Sequence, residues 1–241
     1  MKRGTPPAPQ TRAGRPAVSR ARRKEILVRE EILGTNRKVA AELRKRFEAR
    51  GVLAVNMISS PGAGKTALLE ALADRVKDRF RMAVIEGDIE TERDAERIRR
   101  KGVPARQITT GGACHLEAKM IGKVFPTIPG NVELLFIENV GNLVCPASFD
   151  LGESLRLVLL SSPEGDDKPK KYPEAFLSAD VLVISKADLF PHLPFDAARA
   201  AREALDINPR LRVFVVSALT GQGLPEFVEF LAARLAALRH A

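Results

Sequence analysis

The sequence predicts an α/β fold in which a mainly parallel sheet is flanked by helices, with a helical lead-in before a single domain. Two observations support this prediction: apolar, strand-like runs recur along the chain, and helical patterns separate most of them. Strands that read as continuous apolar runs are buried on both faces, as in parallel sheets covered by helices. With 241 residues, 45% of them hydrophobic, the chain can bury a substantial core.

The first expected element is one helix or two over residues 25–50, with an irregularity at Gly34. The domain proper is expected over residues 51–241. Strands are expected at residues 52–59, 82–87, 132–138, 155–161, 181–185 and 212–217. Helices are expected at residues 65–80, 94–101, 196–206 and 224–238. Residues 163–173 are polar, charged and flanked by proline, a pattern typical of a surface loop.

The basic charge of the chain is concentrated at its N-terminus. Residues 1–24 hold eight Lys or Arg and no acid, which leaves about +1 of the total charge of +9 for the rest. Four prolines and few large apolar side chains predict a disordered, solvated arm. Nucleic acid is not the expected partner, because the chain has no tryptophan, one tyrosine and no alternation of aromatic and basic residues.

The sequence also predicts the cellular compartment of the protein. It contains no run of 18 apolar residues, and its N-terminus lacks the apolar core of a signal peptide, so we expect a cytoplasmic protein with no membrane span. Two cysteines in a reducing compartment are expected to be thiols or metal ligands rather than a disulfide.

The segment SSPGAGKT, residues 59–66, predicts a phosphate-binding loop between a strand and a helix. In such a loop backbone N–H groups cradle phosphates, the lysine neutralises the outer phosphates and the threonine holds magnesium. The match is incomplete, because Ser59 stands where the pattern has its first glycine. A helix opening at Lys65 would add the favourable dipole of its N-terminus. The residues expected to bind nucleotide here are Gly62, Ala63, Gly64, Lys65, Thr66 and Ala67.

Carboxylates follow two other predicted strands. Asp88 comes after MAVIEG, and Glu138 stands three residues before Gly141, the spacing of the phosphate-sensing Asp-x-x-Gly element with Glu in place of Asp. Because ligands bind outside the carboxyl ends of parallel strands, we expect both acids to face one nucleotide. We therefore predict Lys65, Asp88 and Glu138 as catalytic residues, and Thr66, Asp88 and Glu138 as magnesium ligands.

The segment VLVISKADL predicts the base that is recognised. It resembles the Asn-Lys-x-Asp element of GTPases, with Lys186 and Asp188 matching and Ser185 replacing Asn. Ser217 and Ala218 match the Ser-Ala element at the next strand end. Adenine offers no N1–H donor to Asp188, and an unpaired carboxylate there would cost about 1 to 3 kcal/mol. The sequence thus favours GTP over ATP.

The stretch GGACHLEA places Cys114 directly beside His115. Taken alone, the pair is compatible with a metal site and with a buried thiol beside a histidine that starts a helix. The other histidines, His192 and His240, match no motif and are expected at the surface.

Five segments together resemble the hydrogenase nickel-incorporation GTPases, the HypB family: SSPGAGKT, EGDIETERDAERI, GGACHLEA, ENVGNLVCPASFDLGE and SKADL. The resemblance extends from about residue 28 to the end of the sequence. It implies a homodimeric GTPase that helps deliver nickel to the large-subunit precursor of a nickel-iron hydrogenase, together with a maturation partner protein. It also implies a metal site made by Cys114, His115 and Cys145, whose thiolates and imidazole suit nickel or zinc.

In this reading metal and nucleotide are neighbours, since Cys145 lies four residues past Gly141. If Cys114 and His115 were helical, their side chains would diverge by about 100°, so we expect a two-fold interface to supply a second ligand set. We also expect nucleotide-driven dimerisation to assemble or remodel that shared site. The N-terminal tail has no Cys or His, unlike many relatives, so nickel storage is not expected.

Three alternatives remain at this point. Another metallochaperone GTPase, such as the urease accessory protein, is disfavoured by the GGACHL and NLVCP segments. An ATP-driven partitioning or assembly protein would hydrolyse a different triphosphate. A nucleic-acid-binding protein would use the basic tail.

Overall fold

We describe the protein from a computed structural model, in which residues 20–88 and 92–239 are described. The strands are β1 (Leu53–Ser59), β2 (Met82–Asp88), β3 (Ala105–Thr109), β4 (Leu134–Glu138), β5 (Leu155–Ser161), β6 (Val181–Ser185) and β7 (Arg212–Val215). The α-helices are α1 (Arg20–Ala49), α2 (Lys65–Val76), α3 (Arg93–Arg100), α4 (Ala118–Val124), α5 (Lys168–Lys171), α6 (Pro173–Leu177), α7 (Ala197–Ile207) and α8 (Leu224–Arg239).

The strands form one seven-stranded sheet in the order β3-β2-β4-β1-β5-β6-β7, and every pairing is parallel. Every residue of the inner strands β1, β4 and β6 is buried, which is the burial that their continuous apolar runs predicted. The predicted α/β fold is confirmed. The chain leaves β1 toward β2 on one side and later crosses to β5 on the other, so the carboxyl end of β1 lies at a crossover of the sheet.

Helix α1 differs from the prediction at its N-terminus and at Gly34. It begins at Arg20, so residues 20–24 are helical although the sequence predicted a disordered tail up to Lys24. The last proline of the tail is Pro16, and the Arg, Ala and Lys that follow are good helix formers. The helix also runs through Gly34 without a break. The rest of the predicted tail, residues 1–19, lies outside the described residues.

The described part of the chain divides into two units, with the boundary between Ile32 and Leu33. Within the second unit, Leu43 and Phe47 of α1 belong to the same buried cluster as strand residues Ala54 and Leu135. Gly152 permits this packing: its φ is +79°, and a Cβ there would lie 2.8 Å from the carbonyl oxygen of Ala40. In residues 20–88 and 92–239 we find no helix long and apolar enough to cross a membrane.

Several elements were not predicted. Strand β3 is an edge strand with exposed polar residues, so it lacks the apolar run that identified the others. Helix α4 has only seven residues, too few to show a helical period. Residues 163–173, predicted as a loop, include the short helix α5, whose Pro169 is buried.

Candidate functional site

The connection from β1 to α2 is a tight loop at the carboxyl end of the central strand. Gly62 and Gly64 have φ of +74° and +94°, values that favour glycine. Gly64 is the residue before α2, which starts at Lys65 as predicted. The loop borders a cavity of about 510 Å³ that Asp88, Glu138 and Gly141 also line. The predicted phosphate-binding residues and the predicted acids therefore meet at one cavity.

Lys65 is held inside this cavity by two polar groups. Its Nζ donates a hydrogen bond of 3.0 Å to the hydroxyl of Ser59, and it lies 3.9 Å from Oε1 of Glu138. The Lys65 and Glu138 side chains are only 8% and 7% exposed. Ser59, which departs from the general pattern, thus positions the lysine in this structure.

Thr66 and Glu138 form an oxygen-rich cluster below the loop. The Thr66 hydroxyl donates to Oε1 of Glu138 at 3.0 Å, while Oε2 of Glu138 is buried without a hydrogen-bond partner among the described residues. Burial raises the pKa of Glu138, and the charge of Lys65 opposes that rise. Hydroxyl and carboxylate oxygens are suitable magnesium ligands, and an unsatisfied buried oxygen fits a site for a cation.

Glu86 belongs to the same cluster and was missed by sequence reasoning. It pairs in register with Glu138 across β2 and β4, and it is 2% exposed. Burial, followed by the charge of Glu138, raises the pKa of Glu86 to about 11. Its Oε1 is a further buried oxygen without a partner in the described part of the chain. A carboxylate within the apolar run MAVIEG was the available signal, because such a residue must be buried at a cost.

The raised pKa of Glu86 leads to a prediction on pH and stability. The native state keeps a proton that the unfolded chain releases above pH 4.5, so this carboxyl lowers the free energy of unfolding as pH rises toward 11. Glu86→Gln should therefore stabilise the nucleotide-free protein increasingly with pH, by up to about 1.4 kcal/mol per pH unit. Urea unfolding in chelator at pH 6, 7 and 8 measures this difference.

The matched control is Glu229→Gln. Glu229 is paired on the surface with Arg79, and that pairing lowers its pKa, so it stays ionised throughout the tested range. The difference between this control and the unmodified protein should not change with pH. A pH-independent difference for Glu86→Gln as well would show that Glu86 is not protonated in the folded protein.

Asp88 ends β2 and lines the phosphate cavity, as its position after a strand predicted. Its backbone carbonyl accepts a hydrogen bond of 3.0 Å from the Thr110 N–H, which ties the end of β2 to the end of β3. Residues 89–91, which follow it, lie outside the described residues. Arg97 of α3 lines the cavity too, with its guanidinium bound to Glu70 and Asp94. No sequence motif predicted a role for Arg97.

A smaller cavity of about 160 Å³ adjoins the loop and is lined by Lys186, Asp188 and Ala218. Lys186 has a φ of +58° and donates from Nζ to the Gly62 carbonyl at 2.8 Å. Ser185, the other departure from the GTPase pattern, donates its hydroxyl to the Ala63 carbonyl at 2.9 Å. Both residues therefore fasten the predicted base-binding strand to the phosphate loop.

Ser217 makes a contact that the sequence did not predict. Its fully buried hydroxyl donates to the Asp188 carboxylate. That hydroxyl in turn accepts from the Thr220 N–H at 3.1 Å. Ser217 thus orients the carboxylate that should read the base.

Cys114, His115 and Cys145 converge, although Cys145 is 30 residues from its nearest companion. One ligand atom from each lies within 4.8 Å of the others, and the Cys114 Sγ is 3.7 Å from the His115 Nδ1. Ligands bound at about 2.0 to 2.3 Å in a tetrahedron lie roughly 3.3 to 3.8 Å apart. Only small movements are needed to bind one ion.

The surroundings favour the ligand form of the imidazole. The His115 ring stacks on Phe149 at 3.9 Å, and its Nε2 is buried without a partner among residues 20–88 and 92–239. Burial lowers the pKa of His115, against the opposing charge of Glu117, and so favours the neutral ring that binds metals. Neither cysteine forms a disulfide.

The adjacent pair lies in a bend between strand β3 and helix α4, so neither residue is helical. The divergence of side chains expected for a helix therefore does not apply, and one chain brings three ligands together. If a bound metal ion took a fourth ligand, that ligand would come from a group outside these three residues. Of the histidines predicted at the surface, His192 is exposed and His240 lies outside the described residues.

The chain is similar to several known proteins. Residues 53–215 match the family described as the CobW/HypB/UreG nucleotide-binding domain. The hydrogenase maturation factor HypB of Rhizobium leguminosarum bv. viciae is 51% identical over 209 residues, which cover 86% of this chain and 69% of that protein. The hydrogenase/urease maturation factor HypB of Helicobacter pylori J99 is 46% identical, with 87% and 88% covered.

A solved structure is also similar. The crystal structure of HypB from Helicobacter pylori in complex with nickel aligns with a TM-score of 0.81 at 45% sequence identity. The alignment covers 84% of this chain and 96% of that one.

Proposed function

The chain belongs to the CobW/HypB/UreG family of nucleotide-binding proteins, and from this premise we propose that it is a GTP-hydrolysing nickel carrier for hydrogenase maturation. The observation that carries the proposal is the convergence of Cys114, His115 and Cys145 beside a phosphate cavity, with Cys145 four residues beyond Gly141 of that cavity. A relative at 51% identity is named as a hydrogenase maturation factor, and a similar structure was solved with nickel.

The phosphate cavity supports nucleotide hydrolysis. The loop N–H groups and Lys65 would bind the phosphates, since lysine and backbone donors are the usual partners of phosphate oxygens. Thr66, Asp88 and Glu138 would hold magnesium, which when bound neutralises charge on the phosphates. Glu138 already accepts from Thr66 and lies near Lys65, so it would position both groups and orient the attacking water.

The nickel would be cargo rather than a resident cofactor. Two thiolates and an imidazole form a site for a soft or borderline divalent ion, so zinc would compete. The fourth position is the natural place for a ligand from a second copy, and we propose a homodimer across this site. Further partners would be a hydrogenase maturation protein and the hydrogenase large-subunit precursor, and the protein would act in the cytoplasm.

Asp188 is the basis of the proposed GTP specificity. Its carboxylate is oriented by the Ser217 hydroxyl at the small cavity next to the phosphate loop, where it would accept from guanine N1–H and the 2-amino group. Asp188→Asn should weaken GTP binding by roughly 10- to 150-fold and favour xanthosine triphosphate, whose 2-oxo group needs a donor. Competition binding of the two triphosphates measures this change.

The control for Asp188→Asn is Asp196→Asn, because Asp196 caps α7 away from the cavities. It should leave the preference for GTP unaltered. Hydrolysis of ATP and GTP at equal rates by the unmodified protein would refute the base assignment and favour an ATP-driven protein.

The test of the proposed function as a whole is a calorimetric titration of nickel into protein loaded with GDP or with a non-hydrolysable GTP analogue. We expect tight binding of nickel, and an affinity that differs between the two states by about 5- to 150-fold. Analytical ultracentrifugation of the same samples reports the oligomeric state. Absence of nickel binding in both states would refute the proposal.

A further inference from the structure

Asn139 lies immediately after Glu138 at the end of β4 and is 1% exposed. Its side-chain oxygen accepts from two backbone N–H groups, that of Val140 at 3.0 Å and that of Leu116 at 3.1 Å. Its Nδ2 donates to the Asn56 side-chain oxygen at 3.2 Å. The two N–H donors require the oxygen in this orientation, because a flipped amide would turn its own NH₂ group toward them.

Leu116, whose N–H donates to the Asn139 oxygen, directly follows the metal-ligand candidate His115. The side chain of Leu116 is fully buried and covers Gly87: a Cβ on Gly87 would lie 2.7 Å from it. Gly87 stands between Glu86 and Asp88 at the end of β2. Leu116 therefore contacts the ends of two strands that border the phosphate cavity. Its backbone N–H bonds to Asn139 at the end of β4, and its side chain packs on Gly87 near the end of β2.

The Asn139 amide is held by a network of buried side chains. Asn56 donates from Nδ2 to Oε1 of Glu153 at 3.1 Å, and Oε2 of Glu153 accepts from the Leu151 N–H at 2.7 Å. Arg156 binds the same carboxylate and also two backbone carbonyls. These hydrogen bonds fix the orientation of the Asn139 amide, so its oxygen stays directed at the N–H groups of Val140 and Leu116 when the segment moves.

We propose that Asn139 is a positioning residue that transmits the nucleotide state of residues 138–141 to the metal-ligand pair through Leu116. The inference deepens the proposed function, on which it rests. The segment would shift when the terminal phosphate is present or absent. Since one oxygen accepts from both Val140 and Leu116, that shift moves the backbone next to His115. Coupling between the sites then needs no residue that touches both ligands.

If Asn139 had a structural role alone, its loss would lower nickel affinity equally in both nucleotide states. Asn36 provides the comparison. Asn36 is also a buried asparagine, and its Oδ1 accepts from the Ala118 N–H at 2.8 Å, two residues beyond Leu116. Its Nδ2 donates to the Asp150 carbonyl at 2.7 Å. It thus fastens the same loop, but these two hydrogen bonds join it to Ala118 and Asp150 rather than to residues 138–141.

The experiment compares Asn139→Ala with Asn36→Ala. Nickel affinity is measured by competition with a chromogenic chelator, on protein loaded with GDP and with a GTP analogue. Asn36→Ala should lower the affinity in both states and keep their ratio. Asn139→Ala should bring the ratio to within about 2-fold of unity, from the 5- to 150-fold expected for the unmodified protein. An unaltered ratio in Asn139→Ala would overturn the proposal.

A second measurement needs neither a variant nor metal. In the unmodified, metal-free protein, the Leu116 amide resonance should shift when GDP is replaced by the GTP analogue, and the Ala118 amide should shift less. An unchanged Leu116 resonance overturns the relay. If the protein hydrolyses GTP and its nickel affinity is equal in the GDP and GTP-analogue states, the relay fails and the proposed function stands. If it binds no nickel, the proposed function fails, and the Leu116 shift still decides whether the nucleotide state reaches this loop.

Discussion

Replacing Lys65 by alanine is expected to reduce GTP turnover by roughly 10²- to 10³-fold, the usual loss when one charge-stabilising group is removed from a phosphoryl or acyl transfer site. Lys65 donates to Ser59 and lies 3.9 Å from Glu138 in the phosphate cavity. Its ammonium would neutralise charge that develops on the outer phosphates. Two other cations that line this cavity are bound to other groups, Arg97 to Glu70 and Asp94 and Lys186 to the Gly62 carbonyl. Steady-state phosphate release under saturating GTP measures the effect.

The fold should survive this substitution. Lys65 is the largest influence that lowers the pKa of Glu138, so its removal favours the protonated carboxyl instead of leaving a bare buried charge. Lys45→Ala is the matched control, because Lys45 forms an exposed pair with Glu42 and should be neutral. Circular dichroism and urea unfolding must match the unmodified protein. Turnover within about 3-fold of normal in a folded Lys65→Ala, a change of about 0.6 kcal/mol in the activation free energy, would remove the loop from the mechanism.

Cys145→Ala is expected to abolish high-affinity nickel binding while leaving GTP affinity nearly unchanged. Loss of a residue that only supports a metal ligand typically costs 10- to 100-fold in affinity, so loss of a ligand should cost more than about 100-fold. Cys114→Ala should behave in the same way, because both thiols lie within 4.8 Å of His115. Nickel titration against a chelator of known affinity measures the loss.

His192→Ala is the control for these variants, since it removes an exposed histidine that is not part of the cluster. It should bind nickel as the unmodified protein does. If either cysteine variant keeps normal affinity, the three-residue site is wrong even if the family assignment is right. A loss of GTP affinity as large as the loss of nickel would instead indicate disrupted folding.

The sequence predicted the sheet well where strands are central. Strands β1, β4 and β6 carry continuous apolar runs because neighbouring strands and covering helices exclude water from both faces. Strand β3 has one neighbour and exposed polar side chains, so its sequence carries no such signal. Short helices such as α4 are stabilised by what they pack against, and local pattern alone does not reveal them.

The residues of the candidate site also fall into those that the sequence predicted and those that it did not. Motifs that require particular residue types at fixed spacing, such as Gly64-Lys65-Thr66 and Lys186-x-Asp188, were readable from the sequence because their chemistry is local. Glu86 was not readable, since its significance comes from the register that places it opposite Glu138. The same applies to Ser217, whose hydroxyl meets Asp188 across a separation of 29 residues.

The sequence by itself therefore determined the fold class, the phosphate loop, the residues expected to read the base and the types of the metal ligands. Tertiary structure decided which of those residues meet, because strand order and register bring together side chains that are far apart in the chain. It placed Cys145 within reach of Cys114 and His115 in one subunit. It also placed the Asn139 oxygen between Val140 and Leu116. A hydrogen bond of about 3 Å depends on backbone geometry, which no residue pattern specifies in advance.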